Sequence, residues 1–324
     1  MIVSGIGPGD EVLLPTLTYV APANAVRWVG AYPVFLDVES QFRQLDVGRA
    51  GDFMRREYRQ TDGELRNRRS GRRLKAILAV DLLGHPCDMK AVMDLATSLG
   101  LQVIEDAAEA LGAKVGDRMA GSLAPVSILS FNANKMITTG GGGMLLCHDD
   151  KAAGRARSLA SHAKVPGSAI YQHDEVGFNY IMASAQAALG LSQLERFDEF
   201  LGRKRAIAAR YAEAFDDEPT ITVPQEANWA FASHWLYTIH VPTGAREALI
   251  DSLAQDGIET RPIFECMHRV IAHRKAQADD CPVAEELSDT GICLPCSTDL
   301  EDPELDEVAG AVLSALAVAD VDRS

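Results

Sequence analysis

Short apolar runs alternate with helix-like segments over the first two-thirds of the chain. The runs with the length and residue types of buried strands are residues 12–14, 33–36, 76–80, 103–104 and 126–129. In residues 21–29 and 88–99, between some of these runs, apolar positions recur at helical spacing. Strands that alternate with helices are typical of an α/β domain built on a largely parallel sheet. We therefore predict this architecture for the first part of the chain.

The pattern changes in the last third of the chain. Residues 184–214 carry apolar positions at helical spacing and predict one long connecting helix or a pair of helices. Beyond them, residues 235–241 resemble an isolated strand, and two helical segments are expected around it. We therefore expect a large domain over residues 1–215 and a smaller α+β domain over residues 216–324.

Composition and charge narrow the class of protein. The chain has 324 residues, of which 47% are hydrophobic and 24% charged, as in an ordinary globular protein. Its net charge of −15 argues against general nucleic-acid binding, which needs a basic surface. No apolar run approaches the roughly 20 residues that span a bilayer, and the start of the chain does not resemble a signal peptide. We expect a cytoplasmic protein that binds neither nucleic acid nor membrane.

Two local features suggest further functions. Residues 55–75 form a basic segment, which we interpret as a solvated excursion between two strands or, alternatively, as a surface that attracts an anionic substrate. Cys293 and Cys296 have the spacing of a redox or zinc motif, but no second pair or nearby histidine completes a metal site. We expect these cysteines to be structural and predict no metal site.

Three side chains with complementary chemistry follow the predicted strands. Asp106 comes just after one apolar run, Ser130 ends another, and Lys135 lies in the loop that follows. Because the carboxyl ends of parallel strands meet at one edge of a sheet, the three side chains should converge there. Pyridoxal phosphate (PLP) needs an amine to bind its aldehyde, a carboxylate for its pyridine nitrogen and donors for its phosphate. The residues therefore predict a PLP site with Lys135 as the covalent anchor.

The glycine run at residues 140–143 lies close to this site in the sequence. It resembles a phosphate-binding loop but lacks the Gly-Lys-Ser/Thr ending. We predict a tight turn that leads into a strand at residues 144–146. A nicotinamide enzyme is disfavoured because no Gly-x-Gly-x-x-Gly motif follows a strand.

Several short segments occur in a characteristic order along the chain. They are GDEVLLPTLTYVAPANAV, VFLDVE, GHPCDM, IEDAAEALGA, SFNANKMITTGGGGML, SHAKVP, HDEVGFNY and GIETRPIF. In this order they resemble the DegT/DnrJ/EryC1/StrS sugar aminotransferases. The resemblance implies the type I fold of PLP-dependent transferases, like that of aspartate aminotransferase, with a large, mostly parallel-sheet domain and a small α+β domain.

The sequence is most similar to the branch of that family that serves legionaminic-acid and bacillosamine-type pathways. This resemblance implies an aminotransferase for surface-polysaccharide or nonulosonic-acid biosynthesis. Its amino donor would be glutamate, and its acceptor would be C4 of a UDP-linked 4-keto-6-deoxy-N-acetylhexosamine.

The resemblance also implies roles for the residues that bind the cofactor. Lys135 would bind PLP covalently and later carry a proton, and Asp106 would pair with the pyridine nitrogen. Glu109 would lie near the ring hydroxyl. Tyr19 would stack on the ring face, and Ser130 would donate to the phosphate.

Two more residues matched to the family act further from the ring. Asn179 would reach the phosphate across a homodimer interface, and His268 would lie on the substrate side. Two positions depart from the usual pattern: Ile181 stands where the family has arginine, and Ala133 where it has glycine.

The chain also begins about 50–60 residues after the family's usual start. In the family, those preceding residues include the start of a helix whose backbone amides bind the cofactor phosphate. We therefore expect weak PLP binding, aggregation, and exposed apolar surface at residues 12–14 and 20–26. An alternative hypothesis is a catalytically impaired scaffold with the same fold. A family dehydratase, which has histidine in place of the lysine, is disfavoured by Lys135.

Overall fold

The computed structural model describes residues 1–165, 167 and 170–321. Its strands are β1 (Asp10–Pro15), β2 (Tyr32–Leu36), β3 (Tyr58–Thr61), β4 (Glu64–Asn67), β5 (Arg73–Val80), β6 (Gln102–Asp106), β7 (Lys114–Val115), β8 (Arg118–Met119), β9 (Val126–Ser130), β10 (Gly143–Cys147), β11 (Ala230–Phe231), β12 (Tyr237–His240), β13 (Arg261–Pro262), β14 (Gln277–Ala278) and β15 (Gly291–Leu294). Its helices are α1 (Val20–Trp28), α2 (Val47–Glu57), α3 (Met89–Ser98), α4 (Asp150–Ala160), α5 (Ser184–Leu194), α6 (Phe197–Ala214), α7 (Arg246–Gln255), α8 (Pro282–Thr290) and α9 (Asp302–Val321).

The central sheet runs in the order β10-β9-β6-β5-β1-β2-β14. The strands from β9 to β14 pair in parallel, whereas β10 runs antiparallel to β9. The chain therefore has the predicted α/β architecture with a largely parallel sheet. Because β1, β5, β6 and β9 are parallel, their carboxyl ends lie along one edge, and this edge carries the candidate site.

Helices cover both faces of this sheet because alternate residues of its strands point to opposite sides. In β1, Leu13 packs in the core cluster that includes residues of α2 and α3. Val12 and Leu14 pack in the opposite cluster with residues of α1. The side chains of Asp46 and Asp88 cap the amino ends of α2 and α3 by accepting backbone N–H bonds.

The prediction of exposed apolar surface at residues 12–14 and 20–26 is wrong. Val12, Leu13 and Leu14 are fully buried, because β1 lies between β5 and β2 and is covered on both faces. Val26 of α1 is buried as well. Large exposed apolar side chains are grouped instead on and around β10 and α5, where the sheet ends among the described residues, while others such as Trp28 and Ile271 are exposed elsewhere. The grouped side chains include Met144, Leu145, Tyr180, Ile181, Leu189, Leu191 and Leu194.

The C-terminal third has a hydrophobic core of its own. β12, β15 and β13 form a small antiparallel sheet that packs with α6, α7 and α9 in one apolar cluster. The strand expected at residues 235–241 is confirmed as β12, and residues 184–214 form the pair α5 and α6. Three helices follow in this third, α7, α8 and α9, rather than the two expected. The division at residue 215 stays a prediction, since β14 returns to the central sheet beside β2.

The basic segment at residues 55–75 is folded rather than a solvated excursion. It comprises the end of α2 and the hairpin of β3 and β4, which pairs with β5. Arg69 lies 2.8 Å from Glu57, and Arg73 lies 2.8 Å from Asp10. Because Arg73 and Asp10 begin β5 and β1, this segment lies at the amino edge of the sheet, opposite the candidate site. Its location does not support a role in attracting substrate to that site.

The cysteines carry no disulfide: Cys293, Cys296 and the other four are free. Lys204 Nζ donates to Cys296 Sγ at 3.3 Å, and the side chains of Thr238 and Cys293 lie 3.3 Å apart. No cluster of metal-ligating side chains occurs within the described part of the chain. In that same part, no helix combines the length and apolar character that a membrane span requires.

Candidate active site

Asp106 is the last residue of β6 and lies at the carboxyl edge of the sheet. Its carboxylate accepts a hydrogen bond from the backbone N–H of Ala108 at 3.1 Å. The side chain is only 5% exposed. Burial raises the pKa of Asp106 to about 6, although the Ala108 bond and the charge of Lys135 oppose this rise. Folding therefore destabilises the ionised form of this carboxyl group, because little water reaches it.

Glu109 lies three residues beyond Asp106 on the turn after β6 and is also buried. Its Oε2 accepts from the backbone N–H of Leu83 at 2.9 Å, and its Oε1 lies 3.5 Å from Lys135 Nζ. Burial raises the pKa of Glu109 to about 7, against the opposing effect of the Lys135 charge. Near neutral pH this carboxyl group therefore exists in both protonation states.

Lys135 lies in the loop between β9 and β10, and its side chain is 13% exposed. Burial lowers the pKa of Lys135, while the charges of Glu109 and Asp106 partly restore it. A lysine with a lowered pKa provides more of the neutral, nucleophilic amine at neutral pH. The structure thus brings Lys135 and Glu109 into contact, with Asp106 close enough to influence both.

Trp235 completes this cluster and was not singled out from the sequence. The ring centroid lies 3.6 Å from Lys135 Nζ. Its Nε1 donates to the carbonyl of Asn134 at 2.8 Å, and its own carbonyl accepts from Lys204 Nζ at 2.8 Å. The tryptophan therefore contacts the lysine side chain and also fixes the loop that carries it. No local pattern could reveal this, because the residues are joined only by tertiary packing.

We expect Trp235→Leu to lower the pKa of Lys135 further. A ring face stabilises an ammonium group by roughly 0.5–2 kcal/mol, and leucine offers no such face. The measurement is the pH dependence of Lys135 acetylation in the cofactor-free protein, followed by mass spectrometry. Trp28→Leu is the matched control, because Trp28 is 78% exposed and belongs to α1. A raised pKa of Lys135 in the Trp235 variant would contradict this interpretation.

We also expect Asp106→Asn to stabilise the cofactor-free protein at pH 8. The pKa of Asp106 rises from 3.8 to about 6 on folding, so between these values the unfolded chain releases the proton first. Its contribution to the free energy of unfolding is therefore lost as pH rises through that window. The variant should gain up to roughly 3 kcal/mol at pH 8 and little at pH 4. Urea unfolding at both pH values measures this, and an equal effect at both would refute it.

Ser130 and the glycine run form the next part of this edge. Ser130 ends β9, pairs with Gly143 of β10, and its Oγ accepts from Asn132 N at 3.3 Å. The strand predicted at residues 144–146 is confirmed within β10, but the tight turn is wrong: residues 140–142 end the loop of residues 131–142 that also carries Lys135, with Gly140 and Gly142 at φ values of 76° and 130°. At Gly143 a Cβ atom would meet the Leu129 carbonyl oxygen at 2.5 Å, so a side chain there would displace the strand pair.

Tyr19 and His268 lie beyond the carboxyl end of β1. The Tyr19 ring is 55% exposed and lies 5.7 Å from that of Phe264. His268 Nδ1 is 2.7 Å from Thr16 Oγ1, and its Nε2 is 2.8 Å from Glu285 Oε1. Neither side chain contacts Lys135 among the contacts of the described residues.

Asn179 has no described contact with Lys135, Glu109 or Asp106. It is exposed and forms an isolated bridge with Ser161. Ile181, two residues later, is 61% exposed. Of the SHAKVP segment, Pro166 lies outside the described residues.

Most of the chain matches one known protein family in sequence. The family described as the DegT/DnrJ/EryC1/StrS aminotransferase family matches residues 1–313. The GDP-perosamine synthase of Escherichia coli O157:H7 is 37% identical over 94% of this chain and 79% of its own length. The UDP-N-acetyl-3-dehydro-alpha-D-glucosamine 3-aminotransferase of Acidithiobacillus ferrooxidans is 31% identical over 96% of this chain and 79% of its own length.

Solved structures agree with this match. The aminotransferase TlmJ from Streptoalloteichus hindustanus superimposes with a TM-score of 0.88 at 30% identity. The superposition covers 98% of this chain and 82% of that protein. The chain is therefore similar to aminotransferases in both sequence and fold.

Proposed function

The chain belongs to the DegT/DnrJ/EryC1/StrS aminotransferase family, and we propose that it transfers an amino group from glutamate to a nucleotide-linked keto-sugar through Lys135. As a member of this family it is a PLP-dependent sugar aminotransferase with the type I fold. One observation carries the proposed site: a buried lysine amine lies 3.5 Å from Glu109 and close to buried Asp106, at the carboxyl edge of a parallel sheet.

The donor set around Lys135 fits PLP. Three groups support this fit. Lys135 provides a largely buried amine with a lowered pKa, Asp106 a buried carboxylate with a single hydrogen bond among the described residues, and Ser130 a hydroxyl at the end of a strand. Lys135 would hold the aldehyde carbon, Asp106 the pyridine nitrogen and Ser130 the phosphate. Glu109 would lie near the ring hydroxyl and Tyr19 on the ring face.

When bound, PLP supplies an electron-withdrawing ring that carries the amino group from donor to acceptor. The protein supplies charge and proton transfer. Asp106 would keep the pyridine nitrogen protonated, since an ion pair at 4 Å is worth about 4 kcal/mol at an effective dielectric near 20. Once released from the cofactor, Lys135 Nζ would take a proton from the donor's α-carbon and return it, and its lowered pKa makes it a suitable base.

The remaining matched residues act on the outer parts of the two ligands. His268 would contact substrate, held in one orientation by Thr16 and Glu285. Asn179 would donate to the phosphate in the partner's site, and in its own chain it is exposed and has no described contact with Lys135. These roles rest on the family resemblance together with the positions of the side chains.

For the acceptor we propose C4 of a UDP-linked 4-keto-6-deoxy-N-acetylhexosamine. A relative at 31% identity is named for a UDP-linked N-acetylated amino sugar, although at position 3. A GDP-linked keto-sugar is the second candidate, because a relative at 37% identity is named GDP-perosamine synthase.

A matched panel of keto-sugars decides between these candidates. The protein is first loaded with PLP and glutamate, then freed of glutamate and mixed with UDP- or GDP-linked 4-keto and 3-keto sugars. We expect an amino-sugar product from the UDP-linked 4-keto sugar, detected by mass spectrometry. Product from the GDP-linked sugar alone would replace the first candidate by the second, and product from neither would contradict both.

We expect the protein to form a homodimer at micromolar concentration. The apolar residues exposed on β10 and α5 include Leu191, which is 58% exposed and suited to burial against a second copy. Leu191→Asp should therefore shift the dimer toward monomer in sedimentation velocity. Ile271→Asp is the control, since Ile271 is 79% exposed but lies far along the chain from α5. A monomeric parent protein at tens of micromolar, or equal effects of both substitutions, would contradict the dimer.

A further inference from the structure

Arg43 is a buried cation without a carboxylate partner. It lies in the loop between β2 and α2, is 6% exposed, and has a left-handed backbone conformation with φ of 67°. Its hydrogen bond runs from Nη1 to the carbonyl of Thr238 at 3.3 Å, and its buried Nε has no partner within the described chain. No ion pair joins it to any described carboxylate. Burial lowers its pKa to about 10, so it remains charged at neutral pH.

Such an arrangement is costly unless something else neutralises the charge. Removing a guanidinium from water costs several kcal/mol, which proteins usually offset with a carboxylate or a bound anion. The arginines of the basic segment show the usual solution, since Arg69 and Arg73 each contact a carboxylate. Buried Lys204 has no carboxylate partner either, but its ammonium donates to two carbonyls, whereas Arg43 keeps an unpartnered Nε that an anion from outside the described chain would satisfy.

A small recess lies beside Arg43. Its lining is mixed: apolar residues contribute more than half of it, and the polar and titratable side chains are Gln41, Arg43, His85, Gln225 and His234. Burial lowers the pKa of both histidines, that of His234 to about 4, so they are neutral near pH 7. The nearby carboxylate of Glu226 is already bound to Arg205 at 2.6 Å. The charge of the recess at neutral pH therefore comes from Arg43.

The size of the recess limits what can enter. Its volume is about 20 Å³, and roughly 10–15 Å³ on this measure holds one water molecule. A carboxylate end fits this space better than a phosphate, a sugar or a nucleotide. The planar fork of a guanidinium also matches the two oxygens of a carboxylate.

Two walls of the recess connect directly to the lysine cluster. Leu83 lines the recess, and its N–H donates to Glu109, whose other oxygen lies 3.5 Å from Lys135 Nζ. His234 also lines the recess and precedes Trp235, whose ring lies 3.6 Å from the same amine. The recess and the lysine cluster therefore share neighbouring residues, which is the basis for placing the two ends of one ligand in them.

We propose that Arg43 binds the side-chain carboxylate of a dicarboxylic amino donor in this recess, and so selects glutamate-like donors. The proposal rests on the proposed function for the identity of the donor, but anion binding by Arg43 can be tested without turnover. Glutarate is the probe, because it has both carboxylates of glutamate and no amine to transfer.

The test measures glutarate binding to the full PLP-treated chain by calorimetry and by the rise in melting temperature. We expect the parent protein to bind glutarate and Arg43→Gln to bind it about ten- to a hundredfold more weakly, as expected for a lost charged hydrogen bond. Arg43→Lys should retain part of the affinity, since it keeps the charge without the planar fork. With glutamate as donor, Arg43→Gln should raise KM for glutamate and leave KM for the keto-sugar unchanged.

The matched control is Arg59→Gln, because Arg59 is exposed on β3 at the opposite edge of the sheet. It should bind glutarate like the parent. Unchanged glutarate binding in Arg43→Gln would overturn the proposal, as would an equal loss in Arg59→Gln or no binding by the parent. A response of Arg43 to inorganic phosphate but not to glutarate would replace it with a phosphate site. Loss of transamination with intact Arg43-dependent glutarate binding would instead refute the proposed function alone.

Discussion

Lys135→Ala should abolish transamination while leaving the fold intact. Proton transfer by a positioned side chain contributes roughly 10²–10⁴-fold to a rate, and this variant also loses the covalent hold on the cofactor. We therefore expect turnover to fall by about 10⁴-fold or more. The fold should survive because the pKa of Glu109 is already raised to about 7 beside Lys135 and rises further once the lysine charge is removed, so that the buried carboxyl group becomes neutral by binding a proton.

The measurement is single-turnover formation of 2-oxoglutarate from glutamate, with circular dichroism to confirm the fold. Lys151→Ala is the control, since Lys151 is exposed on α4 and should keep parent activity. Wild-type turnover by the Lys135 variant would remove this lysine from the mechanism.

Asp106→Asn should reduce turnover by about a thousandfold, with a smaller loss of cofactor affinity. The substitution keeps the shape of the side chain but removes the charge that holds the pyridine proton. The interaction is worth about 4 kcal/mol, and each 1.4 kcal/mol is roughly a factor of ten. The same variant is expected to be more stable without cofactor at pH 8, so its loss of activity cannot be attributed to unfolding.

Steady-state turnover and PLP titration separate the two effects of this variant. Asp94→Asn is the control, because Asp94 is an exposed residue of α3 that pairs with Lys90. If Asp106→Asn turned over at the parent rate, its proposed partnership with the pyridine nitrogen would be wrong.

The central features of the fold and the site were predictable because they depend on local patterns. β1, β5, β6 and β9 are continuous apolar runs, and a parallel sheet brings their carboxyl ends together. Asp106 and Lys135 could be placed at that edge from their positions after two such runs. The electrostatic interaction between Asp106 and Lys135, and the contact of Lys135 with Glu109, follow from this topology.

The rest of the site depends on contacts between distant parts of the chain. Trp235 contacts Lys135 from the segment just before β12, and Leu83, with a φ of 58°, donates to Glu109 from a turn. Neither arrangement leaves a mark in the local sequence. The error at residues 12–14 has a different origin. The local apolar run did predict a buried strand, and the expected exposure assumed that an N-terminal segment of the family covers this surface, whereas β5, β2 and the neighbouring helices bury β1 here.

The most direct test of the central claim is borohydride reduction of the PLP-treated protein, followed by peptide mapping. Reduction makes the bond between cofactor and lysine permanent. We predict a pyridoxyl group on Lys135, less of it when glutamate is added before reduction, and its return when the keto-sugar follows. A label on another lysine, or a label on Lys135 that glutamate does not change, would contradict the account.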